Sequence, residues 1–206
     1  MIYRPFGTTG IDVSVLGFGG MRFPNQENFD EGAELIKAAY DAGVNYFDTA
    51  PGYGKSEDIF GVAFKEMVKT RDEKPFYVAT KTFAASEDQV REQVETSLKR
   101  MGLDYIDFYH MWCVLTPEAY EQRKMQGTLD AFAKMKDEGL IRHICVSTHM
   151  EGSQVGDMLN DYPFEGLLVG YSAMNFRFRE QGIQAAADLN RGVVVMNPLG
   201  GGIIPN

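Results

Sequence analysis

Gly43-Val44-Asn45-Tyr46-Phe47-Asp48-Thr49-Ala50-Pro51-Gly52-Tyr53-Gly54 is the stretch of this 206-residue chain that decides its fold. A glycine that ends a helix leads into a short apolar run, and an acid stands where the run stops. A phenol follows in the next loop. An acid at a strand end with a reactive side chain in the loop after it is where catalysis sits on a parallel barrel. An unperturbed phenol has a pKa of about 10. A neighbour must lower that value for work near neutrality, and Lys81, at the end of Phe76-Tyr77-Val78-Ala79-Thr80, is the candidate.

Outward from this stretch, short apolar runs alternate with helical patterns. Ile2 to Ser14 predicts a hairpin turning at Thr8-Thr9-Gly10. The predicted strands are Val15–Phe18, Val44–Phe47, Phe76–Thr80, Ile106–Met111, Ile141–Ser147, Gly166–Gly170 and Val193–Met196. Between them lie helices capped by Asp30, Ser56 and Ser86, a long one within Pro117–Glu138, and others near Gln154–Asn160 and Glu180–Asn190. Strict alternation implies right-handed crossovers and a parallel sheet. Gly17-Phe18-Gly19-Gly20 suggests a dinucleotide-binding doubly wound sheet, but Met21-Arg22-Phe23-Pro24-Asn25 follows it rather than a helix. Candidate residues at several strand ends favour the α/β class and a (β/α)8 TIM barrel with an N-terminal β-hairpin. Residues 1–206 form a single barrel domain. Only seven barrel strands are present, so the expectation is a barrel truncated after strand seven, its open edge covered by a missing C-terminal segment or by oligomerisation.

The formal net charge of −9 argues against nucleic acid. No apolar run approaches the roughly 20 residues that span a bilayer, and the N-terminus lacks a signal-peptide core. Cys113 and Cys145 are the two cysteines, which excludes a disulfide framework. A cytoplasmic protein with no metal site and no membrane partner is the simplest expectation. His143 is expected to be structural, and the charges of Glu118 to Lys136 to form a solvated helix face.

Leu16-Gly17-Phe18-Gly19-Gly20-Met21-Arg22, Asp48 to Gly54, Ala79-Thr80-Lys81, Ser147-Thr148-His149 and Asn197-Pro198-Leu199-Gly200 together resemble the aldo-keto reductases, in that family's order and spacing. The Met21-Arg22 pair, Ser147-Thr148-His149 and Val195 to Leu199 are most similar to the bacterial branch with a C-terminal iron–sulfur ferredoxin-like extension. The resemblance implies a barrel that reduces aldehydes, ketones or quinone-like small-molecule carbonyls with NADPH or NADH. It implies Asp48, Tyr53 and Lys81 as three members of the catalytic tetrad, with Tyr53 as proton donor. The fourth position, usually histidine, falls on Trp112. His110, the remaining catalytic candidate, lies two residues earlier on the same strand face, roughly 6.6 Å along it. The resemblance assigns Gly20, Met21, Arg22 and Asp48 to the nicotinamide ribose, Ser147 and Thr148 to the nicotinamide amide, and Pro198, Leu199 and Gly200 to the pyrophosphate. Leu168 replaces the usual glutamine that holds the amide, and Met196 the usual stacking aromatic. Two alternatives are a non-catalytic dinucleotide-binding module, suggested by Trp112 and Leu168, and a TIM-barrel isomerase or lyase.

Overall fold

Residues 1–204 are described here, from a computed structural model. The chain opens with an antiparallel hairpin, β1 (Tyr3–Pro5) and β2 (Asp12–Ser14), in the register Tyr3↔Ser14 and Pro5↔Asp12. Seven parallel strands follow in strict sequence order: β3 (Phe18–Gly19), β4 (Tyr46–Asp48), β5 (Tyr77–Thr82), β6 (Ile106–Val114), β7 (Ile141–Thr148), β8 (Gly166–Gly170) and β9 (Gly192–Met196). Among the described residues β3 and β9 are the outer strands of this curled sheet, and it remains an open barrel. Apolar side chains stand exposed along the opening, with Leu16 at 65% and Val195 at 38%.

The connecting helices are α1 (Phe29–Asp41), α2 (Ser56–Met67), α3 (Glu87–Met101), α4 (Pro117–Met125), α5 (Thr128–Asp137), α6 (Gly152–Asp161) and α7 (Phe176–Asp188). Their starts differ from the sequence expectation in instructive ways. Asn28, not Asp30, caps α1 by accepting the Glu31 amide. Ser56 lies inside α2, and its buried hydroxyl bonds to that of Thr49 at 2.7 Å. Ser86 stands at the N-cap of α3 without a side-chain capping bond. The long helix within 117–138 is two helices, broken at Gly127, which holds φ +89°.

Strand alternation sorts the side chains into two layers. Phe47, Val78, Tyr109, Met111, Val146 and Val169 face outward and meet the helices in one continuous core. Tyr46, Ala79, Phe108 and Cys145 face inward and form a second cluster around Phe6 of the hairpin. The Phe6 ring lies 4.5 Å from that of Phe108 and plugs the N-terminal end of the barrel. Gly166 and Gly192 make this fit: a Cβ on either would come within 2.9 Å and 2.3 Å of the Phe6 ring respectively. Full burial of such a side chain contributes roughly 1.5–3 kcal/mol. With that end filled, the opposite end, where the C-termini of all seven strands emerge, is the one left for chemistry.

His143 belongs to the plugged end. Its Nδ1 sits 2.7 Å from Glu165 Oε1, at the start of β7. Among the described residues no helix is long and apolar enough to cross a membrane.

Candidate active site

Asp48 ends β4 and Lys81 lies near the end of β5, two positions beyond the residue paired with Asp48. The Lys81 side chain is 1% exposed and that of Asp48 16%, and Nζ lies 2.5 Å from Oδ2. A second oxygen, the Thr49 carbonyl, accepts from Nζ at 2.8 Å. Burial opposes both charges, pushing the Asp48 carboxyl up and the Lys81 ammonium down, and the mutual attraction works against each shift.

Tyr53 is carried by a tight turn. Its amide donates to the Ala50 carbonyl, and its own carbonyl accepts from the Ser56 amide and from Gln26 Nε2. Glycine suits position 54: its φ is +66°, and a Cβ would lie 2.2 Å from Gln26 Oε1 and displace that side chain. The turn sets the phenol ring 5.3 Å from Lys81 Nζ. Lys81 does not depress the phenol as the sequence suggested. Burial first, then the Asp48 carboxylate, push Tyr53 up, because the ammonium charge is already engaged by Asp48 and Thr49. Tyr53 is therefore a phenol that keeps its proton.

The fourth position is aromatic. Trp112 meets Tyr53 edge-on at 5.6 Å and stacks on Phe83 at 4.1 Å with 18° between the planes. It stands in a register irregularity of β6 between Met111 and Val114, beside Cys113 at φ +55°. Such a backbone costs a residue with a Cβ of order 1–3 kcal/mol, and bulges of this kind gather at functional sites. His110 pairs with Lys81 in the sheet register and is fully buried. Its Nδ1 faces the Thr80 carbonyl at 3.4 Å, and Nε2 has no hydrogen-bond partner among the described residues. Burial and the Lys81 charge hold its pKa down to about 3, so the ring is neutral around pH 7. It lies beside Lys81 in the neighbouring strand as a neutral imidazole.

The residues assigned to a cofactor all sit on this same rim. Gly20, Met21 and Arg22 form a short 3₁₀ turn after β3, with Met21 and Arg22 exposed. Met196 ends β9, and Pro198, Leu199 and Gly200 follow it in a glycine-rich turn in which Gly200, Gly201 and Gly202 all have positive φ. Ser147 and Thr148 point to opposite faces of β7. The Thr148 hydroxyl is already used, donating to the Val114 carbonyl at 2.8 Å and accepting from the Met150 amide at 3.0 Å. Ser147, on the inner face, has no hydrogen-bond partner for its hydroxyl among the described residues. It sits in register with Leu168, and that residue with Val194. The Ser147 hydroxyl is thus a polar group near the end of β7 that is able to hold a carboxamide.

The sequence profile of the Aldo/keto reductase family matches residues 15–206. This chain belongs to the aldo/keto reductase family. It is 36% identical over 165 residues to aldo-keto reductase YhdN of Bacillus subtilis, covering 71% of this chain and 47% of that one. L-galactose dehydrogenase of Arabidopsis thaliana is 34% identical over 157 residues, covering 70% and 47%. Among solved structures, the holo form of an aldo-keto reductase from Bacillus halodurans superposes with a TM-score of 0.81 at 25% identity, covering 98% of this chain and 68% of that one. The chain spans about half the length of the curated relatives it matches. None of these relatives' names refers to the iron–sulfur branch.

Sequence reasoning missed two contributors to this site, Phe83 and Arg123. Phe83 is an exposed aromatic immediately after Lys81-Thr82, a position that could have drawn notice. Arg123 was counted within a solvated helix face, yet its Nη1 donates to the Trp112 carbonyl at 2.5 Å.

Proposed function

We propose that the rim carries the site of an oxidoreductase that reduces aldehydes, ketones or quinone-like carbonyls of small molecules, using NADPH or NADH. The observation that supports it most is the buried Asp48–Lys81 pair, 2.5 Å apart, with its ammonium 5.3 Å from the Tyr53 ring. The bound dinucleotide would supply hydride to the carbonyl carbon. The C=O π electrons then move to oxygen, and Tyr53 gives that oxygen its proton. A phenol held above its ordinary pKa arrives protonated, as a general acid must. The phenolate left behind then regains a proton from solvent. Asp48 holds Lys81 in place. Ser147 would bind the carboxamide, Gly20, Met21, Arg22 and Asp48 the ribose, Met196 the nicotinamide face, and Pro198, Leu199 and Gly200 the pyrophosphate.

The test is oxidation of NADPH and of NADH, each against a panel of aldehydes and quinones, by the protein and by Tyr53→Phe. General acid catalysis is worth about 10²–10⁴-fold, so the variant should lose at least 100-fold in kcat with its fold intact. Turnover that Tyr53→Phe leaves unchanged would refute the assignment.

A further inference from the structure

We propose that Arg123 recognises an anionic end of the substrate, so that the site selects flat carbonyl compounds bearing a carboxylate. This rests on the reductase reading above and gives it a substrate class.

Arg123 reaches from α4 over the end of β6. Its guanidinium carbon lies 5.5 Å from the centre of the Phe83 ring. Phe83 stacks on Trp112, and Trp112 meets Tyr53 edge-on. An apolar aromatic wall thus runs unbroken from the proton-donating phenol to the guanidinium. Phe83 is 53% exposed, so this wall has area free for a planar ligand.

The guanidinium itself lacks a counter-charge. Its neighbour Lys124 pairs with Glu121 at 3.4 Å and Asp161 at 2.7 Å. Arg91 is met by Glu138, and Lys134 by Glu87. Arg123 has no carboxylate within ion-pair distance among the described residues. One backbone carbonyl, that of Trp112, takes one of its five N–H donors. Arg123 is nonetheless part-buried, and burial lowers its pKa. Keeping an unpaired charge partly out of water is costly unless something pairs with it. The Cys113 thiol beside it cannot serve, since burial raises its pKa and keeps it neutral. A planar guanidinium fixed at one corner presents its remaining donors in the fork that a carboxylate matches. With Lys124 already paired, a lone guanidinium suits a monoanion better than a phosphate dianion.

The experiment compares benzaldehyde with 4-carboxybenzaldehyde as substrates for the protein, for Arg123→Leu and for Arg123→Gln. The glutamine variant keeps a donor for the Trp112 carbonyl and loses only the charge. A charge-assisted contact is worth about tenfold or more in affinity, so KM for 4-carboxybenzaldehyde should lie about tenfold below that for benzaldehyde. Both variants should erase that difference by raising KM for 4-carboxybenzaldehyde to that for benzaldehyde measured with the same variant. A binding measurement stands beside the kinetics. 4-(Hydroxymethyl)benzoate should raise the thermal midpoint, benzyl alcohol should not, and Arg123→Gln should remove the effect. Equal KM values in the unsubstituted protein, or a preference that survives Arg123→Gln, would overturn the proposal. No turnover of either aldehyde, with Arg123-dependent binding retained, would overturn the reductase reading and leave the anion site standing. No turnover and no such binding would overturn both.

Discussion

The Asp48–Lys81 pair can be separated into what it does for stability and what it does for chemistry by three variants: Lys81→Met, Asp48→Asn and the double replacement. Both side chains are buried, at 1% and 16% exposure, and they lie 2.5 Å apart. Lys81→Met leaves the Asp48 carboxylate facing the barrel interior without its cation. Asp48→Asn leaves an ammonium held by the Thr49 carbonyl alone. Removing one partner of such a pair costs about 3–5 kcal/mol, while replacing both by groups of similar volume is near neutral. The double variant still loses the Lys81 bond to Thr49, worth about 1 kcal/mol. It should therefore recover to within about 2 kcal/mol of the parent, which makes the coupling energy several kcal/mol. For a chain of this size a loss of 3–5 kcal/mol lowers the thermal midpoint by roughly 6–20 °C. Urea denaturation at pH 7, with thermal unfolding as a second probe, reads the cycle. All three variants should lack reductase activity, including the stable double one. Single variants within about 1 kcal/mol of the parent, or a double variant costing the sum of the two, would refute the argument that burial makes each charge depend on the other.

Because burial and Asp48 raise the Tyr53 phenol, its proton stays in place beyond the ordinary value near 10. The reduction rate should then show no fall assignable to a tyrosine between pH 6 and about 10; a decline centred near pH 7 that Tyr53→Phe abolishes would contradict this. Tyr46 and Tyr109 are also raised by burial, so the unfolded chain gives up their protons first. Stability to urea should accordingly be lost as pH rises through about 10, and a stability profile flat to pH 11 would count against it. Gly192→Ala puts a Cβ 2.3 Å from the Phe6 ring and should cost about 1–3 kcal/mol in chemical denaturation, a loss that adding Phe6→Leu should partly restore.

The seven barrel strands and their order were legible because each is a short apolar run set between helix signals. The rim residues were legible because a parallel strand brings its last residue to one common end of the sheet. Asp48 and Lys81 were named by the family resemblance, and neighbouring strand ends allow them to pair. What escaped depended on contacts distant in sequence. Ser56 has the residue type of a cap, but its hydroxyl turns toward Thr49. Thr148 was assigned with Ser147, yet alternation along β7 sends it to the outer face, where Val114 and Met150 claim it. Arg123 is one of several charges on a helix, and only the end of β6 beneath it gives it a different surrounding. Lys81 was expected to tune Tyr53, a judgement that requires knowing how fully Asp48 and Thr49 already hold it.

The hairpin plug has a consequence for assembly. Phe6 comes from the hairpin that precedes β3, and its seat includes Gly166 and Gly192 in β8 and β9. Synthesis proceeds from the N-terminus, so the ring emerges well before β8 and β9 and must wait for them before it can dock. Closing so long a loop is entropically costly, and docking repays that cost only once β8 and β9 are in place. A nascent sheet that lacks β9 therefore offers Phe6 only part of its seat, the side built by Tyr46, Phe108 and Gly166.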